Sequence, residues 1–223
     1  MKHVALAATL AVGGLIAPFS AHADDAPADG HAPAQYLIME PNAEIIFITT
    51  GGAEVRADWT EAATNNLRGH FSDQISSAGY TVTGFDSDAQ HADEIQQLLY
   101  LFELVSASAD LNMPHKGGRG SNHDITLGET ASLLREHYNA DRAIFVDHYS
   151  QIESGGVFMT QVLVGTATGF TPPSQNVRAT IGTIIDLETG DIVERAQATL
   201  GDARDEGESA GIVTRVLNNL PLE

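Results

Sequence analysis

The chain has 223 residues, thirty acidic against eleven basic, a net charge of −19, and no cysteine. That excludes disulfide staples and thiolate chemistry, and its negative field repels nucleic acid phosphates and anionic lipid head groups. Acidity of this kind keeps an exported protein soluble.

The first 23 residues carry Lys2, an apolar run from Val4 to Phe19 broken by Gly13, Gly14 and Pro18, and a small-x-small ending at Ala21 to Ala23. That pattern predicts an export signal cut near Ala23 and a periplasmic location, with no membrane insertion after cleavage. Without an acylated cysteine the mature chain has no lipid anchor of that type. Residues 24–35, rich in Ala, Pro and Asp without periodicity, predict a disordered leader. Residues 36–223 then make a single domain, long enough to fold on its own core.

"AEIIFITTGG", from Ala43, is a β-branched run closed by paired glycines and predicts a buried strand. Asp58 and Glu61 match a capping box, and Trp59, Ala63, Leu67, Phe71 and Ile75 follow at four-residue steps until Gly79, so a capped amphipathic helix comes next. "YTVTGF" alternates as a strand does, completing a parallel crossover unit. A second helix spans 89–107, with Ile95, Leu98, Leu99, Phe102 and Val105 on one face. A third is read in "TLGETASLLREHYNAD", capped by Asp124 or Thr126 and ending near Asn139.

From Ala143 the period becomes that of strands: "AIFVDHYSQI", "VFMTQVLVGTA", "VRATIGTIIDL" and "IVERAQATL", the last two joined as a hairpin by "ETGD" at 188–191. A closing helix over 203–219 turns Ala210, Val213, Val216 or Leu217, and Leu220 toward the sheet, and Pro221 stops it. The predicted order is β-α-β-α-α-β-β-β-β-α: a mixed α/β fold with one sheet of five to six strands and helices packed on it.

Two clusters and one surface are candidate sites. "MPHKGGRGSNHDITLG" fails the phosphate-loop pattern, since Lys116 precedes its glycines and a helix precedes the loop. Lys116 and Arg119 beside a helix N-terminus still suit a small anion. His115 and His123 with Asp124 have metal-ligating chemistry but match no named spacing, and a solvated connector is the plain alternative. In "VDHYSQIE", strand alternation puts Asp147, Tyr149 and Gln151 on one face and His148 on the other, so Asp147 and His148 form no acid-base dyad. Asp147 near a strand end joins the candidate ligand set. The sequence contains no nucleophile elbow, His-Glu-x-x-His or calcium loop, and no cofactor is expected. Finally, residues 155–176 are uncharged, with Phe158, Met159 and Phe170, and read either as a docking edge for an envelope partner or second copy, or as a buried central strand with its loop.

Over Leu127 to Pro221, the helix ending in Ala140-Asp141 that feeds a strand, the Asp186-Leu187-x-Thr-Gly turn and the closing helix resemble a group of bacterial envelope proteins. The group comprises the curli-secretion lipoprotein, the lipoprotein activators of penicillin-binding proteins and the N-terminal domain of the Tol propeller protein. The resemblance implies their fold and compartment and assigns no binding residue. It favours a non-enzymatic envelope accessory or assembly protein acting through protein contacts. The alternative is a small-anion or metal-binding protein or hydrolase using the 113–124 loop.

Overall fold

A computed structural model describes residues 34–86, 92–112 and 125–222. The expected export signal, the leader up to residue 33 and the loop 113–124 lie outside the described residues. The strand that opens the fold starts at Gln35, the last residue assigned to the leader.

The sheet is organised around β5 (Arg142–Glu153), whose first half is the apolar run Ala143 to Val146. Along one side, from Arg142 to Gln151, it pairs antiparallel with β6 (Val177–Asp186), and β6 pairs with β7 (Ile192–Ala198) as the expected hairpin. The turn between them works because Gly190 takes φ 77° and the Asp186 carboxylate accepts from the Glu188 and Thr189 N–H groups at 2.8 and 3.1 Å.

On its other side β5 meets two short parallel strands in succession, β1 (Gln35–Ile38) and β2 (Asn42–Thr49). Ile38 faces Ile144, whereas Asn42 faces Asp147, so Met39, Glu40 and Pro41 oppose only Phe145 and Val146. That extra residue is a bulge, placed where Pro41 has no N–H to give the ladder. It also reverses parity: Tyr36 and Ile38 point to one face of the sheet, and beyond the bulge it is Ala43 and Ile45 that do so.

β3 (Gly52–Val55) folds back antiparallel on β2, an edge the sequence does not foretell because Gly51-Gly52 reads as the end of a strand, not the turn of a hairpin. β4 (Thr81–Gly84) lies parallel to β1, as the crossover through α1 (Ala57–Ser77) requires. Among the described residues the total is seven strands in one mixed sheet, against the five to six expected.

Each face carries its own core. On one side α1 and α5 (Glu206–Leu217) pack Leu67, Phe71, Ile75, Ile212, Val213 and Val216 against Ile38, Ile45, Ile144 and Ile184. Gly182 on β6 allows this close approach, since an added Cβ would lie 2.7 Å from Val216 Cγ1 and 2.8 Å from Leu220 Cδ1. On the other side α2 (Ala92–Asn112) and α3 (Ser132–Tyr138), the latter entered through a 3-10 turn at Gly128–Ala131, pack Ile95, Leu98, Phe102 and Leu134 over Leu37, Phe145 and Ile185. Phe102 and Phe145 stack with ring centroids 3.9 Å apart. As expected, Asn139 closes α3 in the left-handed conformation, at φ 49°.

Two local expectations are corrected. Asp58 does not cap α1: the N-cap is Arg56, whose N–H is taken by the Ile45 carbonyl as β3 ends, and Asp58 in the first turn instead accepts from Arg56 Nε and Nη2 at 3.0 and 2.8 Å. The segment expected as a strand over 157–167, alternatively a buried one, is the helix α4 (Gly155–Thr168), and none of its residues is buried. Composition favours a strand there. The ends decide otherwise: Ser154 Oγ accepts from the Val157 N–H at 3.3 Å, and Gly169 closes the helix at φ 73°.

Candidate functional site

α4 leaves the sheet where β5 has only β2 for company. The Ser154 N–H bonds the Ile48 carbonyl, and the chain then turns away from both cores. Val157, Gln161 and Gly165, one residue per turn, are the half-buried stripe that leans on the protein. The remaining faces look outward, with Phe158 59%, Leu163 65% and, just past the helix, Phe170 66% exposed, alongside Met159, Val162 and Val164. Phe158, Met159 and Phe170 are all exposed, on a helix and its trailing loop and not on a hairpin. Val162, Leu163 and Val164 complete the surface. Reading the segment as a strand hid them, and their spacing from Phe158 and Met159 is the signal that would have found them.

The polar atoms around α4 are satisfied locally. Thr160, Thr166 and Thr168 donate their hydroxyls to the Gly156, Val162 and Val164 carbonyls at 2.9, 2.8 and 2.7 Å. Glu153, the last carboxylate before the helix, accepts from the Gln175 N–H (2.7 Å), Gln161 Nε2 (2.8 Å) and Ser174 Oγ (3.1 Å). These donors, led by the Gln175 backbone, hold its pKa below the ordinary glutamate value.

Asp147 lies on the α2 side of the sheet, in an open cleft of about 350 Å³ shared with Asn42, Glu44, Glu103, Ser106 and Tyr149. Asn42 Nδ2 donates to Asp147 Oδ1 at 3.2 Å. β2, β5 and α2 therefore bring three carboxylates to one wall, a combination that sequence spacing conceals because each comes from a different element. Among the described residues no group of three His, Asp or Glu side chains is placed to hold a metal ion. His115, Lys116, Arg119 and His123 lie outside the described residues, so Asp147 is the member of the candidate ligand set that the structure locates.

His148 points to the opposite face, as alternation demands, and is 3% exposed. Its Nδ1 shares a 2.8 Å hydrogen bond with Thr180 Oγ1, directly across the β5–β6 ladder, and Nε2 has no hydrogen-bond partner among the described residues. Burial pushes this imidazole down to about 4, Asp202 opposing the shift and Arg178 adding to it. At neutral pH it is an uncharged core residue. Nearby, Arg204 grips Asp202 through Nε and Nη2 at 2.9 and 2.6 Å, and Trp59 is sandwiched between the guanidinium groups of Arg204 (4.0 Å) and Arg56 (4.3 Å). Composition gives no hint of this stack, which brings Arg204 to a pair, Arg56 and Trp59, far from it in the chain.

Among the described residues no helix is long and apolar enough to cross a membrane. By sequence the chain matches no protein-family model and no curated relative. By structure it is similar to the lipoprotein GNA1162 of Neisseria meningitidis, with 11% identity, 75% of this chain and 80% of that one covered, and a TM-score of 0.32. A PelC dodecamer from Paraburkholderia phytofirmans gives 12% identity, 86% and 89% coverage and a TM-score of 0.42. The LpoB C-terminal domain from Salmonella enterica gives 14%, 78% and 87%, and 0.30. At these scores the likeness, which includes bacterial lipoproteins, carries no argument about activity or assembly.

Proposed function

We propose that this chain is a non-enzymatic accessory protein of the bacterial cell envelope that works through protein contacts made by α4 and the loop that follows it. One observation carries the reading: a helix with no charged side chain and no buried residue stands outside both cores of a strongly acidic protein. Soluble proteins seldom leave a contiguous apolar patch of this kind uncovered, and such patches mark contact sites. The export pattern at the N-terminus supplies the compartment, and the acidic remainder of the surface keeps the protein soluble while one uncharged face stays available.

The test is a photocrosslinker at Leu163 in the full-length chain, expressed in bacterial cells, with a second at Asn65 on the far helix as control. A discrete protein adduct is expected from Leu163 and not from Asn65, and it should vanish when Phe158→Asp and Phe170→Asp are added. Absence of any adduct at Leu163 would overturn the reading.

A further inference from the structure

We propose that the occupant of this face is a second copy of the same chain, whose own α4 lies across Phe158, Val162 and Leu163 about a two-fold axis. This rests on the reading of α4 as a protein-contact surface and names the partner.

Three observations lead to it. The first is the helix itself. Gly155, Gly156 and Gly165, three valines and three threonines make α4 a poor helix by propensity, and fourteen residues is a marginal length alone in water. Such a helix persists only when something packs on it, and nothing from its own core does. A cover needed whenever the chain is folded is met most simply by another copy, which is present at the same concentration and time.

The second is charge. Two copies of a −19 protein repel one another through their net charge. From Gly155 to Asn176 there is no Asp, Glu, Lys, Arg or His, and the adjoining Glu153 carboxylate is engaged by donors from Gln161, Ser174, Gln175 and Asn176. A two-fold contact places a patch against itself, so this uncharged patch is where self-apposition costs least. The same composition argues against a lipid surface: interfacial helices carry a basic polar face, and there is no Lys or Arg between Arg142 and Arg178.

The third is completeness. The threonine hydroxyls of α4 are already bonded within the helix, so covering it strands no donor there. The exposed apolar side chains offer on the order of 600 Å², most of the roughly 800 Å² that each member of a stable pair buries.

The chain's lack of cysteine makes the test clean. In full-length protein Val162→Cys should oxidise to a covalent dimer at least about tenfold faster than Asn65→Cys, because association holds the two thiols at high effective concentration. Sedimentation equilibrium should give the wild type twice the mass of one chain, and Phe158→Asp with Leu163→Asp the mass of one. Should that double variant misfold, the cysteine comparison still decides. Equal oxidation rates with a wild type of single-chain mass would overturn the proposal. So would binding of the single chain to phosphatidylethanolamine–phosphatidylglycerol vesicles through α4. A Leu163 photoadduct larger or smaller than two copies of the chain would sink the second copy while leaving the contact reading intact; no adduct would sink both.

Discussion

Replacing His148 by Asn should flatten the pH dependence of folding by a calculable amount. Above pH 6.5 the imidazole is neutral in both folded and unfolded chains and contributes no slope. As the pH falls below that value the unfolded chain takes up the proton, whereas the folded chain, with the ring 3% exposed, declines it until about pH 4. Stability is therefore lost across that window at about 1.4 kcal/mol per pH unit. The total is about 3 kcal/mol, of which about 2 kcal/mol is gone by pH 5. Asn keeps a polar atom near Thr180 Oγ1 but cannot titrate. Urea unfolding of both proteins at pH 7.5 and pH 5 cancels the contributions of the carboxylates and other histidines, which the two share. The variant starts less stable and should lose about 2 kcal/mol less between the two conditions. Equal losses would show that the folded ring takes its proton as readily as the unfolded one, and the argument from burial would fail.

Three further outcomes follow from the packing. Gly182→Ala should cost about 1–3 kcal/mol in chemical denaturation, since its new methyl group meets Val216 and Leu220, both fully buried. Phe102→Ala, which removes the ring stacked on Phe145, should cost about 3–5 kcal/mol by the same measurement. Asp205→Ala should cost about 1 kcal/mol, because the Asp205 carboxylate caps α5 by accepting from the Glu208 N–H at 2.9 Å; a thermal melt unchanged from wild type would deny the cap.

What the sequence makes legible is what has a period. The four-residue steps from Ala63 to Ile75 place α1, and alternation through Val146, Asp147 and His148 separates the cleft residue from the core residue before any coordinates exist. The β6–β7 hairpin is legible because its turn requires Gly190 and Asp186. β3 and α4 are hidden for opposite reasons. Paired glycines at 51 and 52 read as a stop when they are a turn, and a valine- and threonine-rich stretch reads as a strand when one serine cap and one terminal glycine make it a helix. The acidic cleft is illegible for a third reason: Glu44, Glu103 and Asp147 come from different elements, and only tertiary pairing unites them.

The bulge at Met39 to Pro41 has a consequence for how this chain tolerates change. Most side chains could stand at position 40, which is exposed, because the joint holds one residue more than the ladder opposite it pairs. Deleting Glu40 would leave Met39 and Pro41 alone opposite Phe145 and Val146, so the ladder would close up with Asn42 still facing Asp147 and Ile45 still in its enclosed seat on the α1 side of the sheet. A single codon lost at this joint is thus absorbed there, whereas one lost just beyond it, at Glu44, would turn Ile45 away from the α1 side of the sheet.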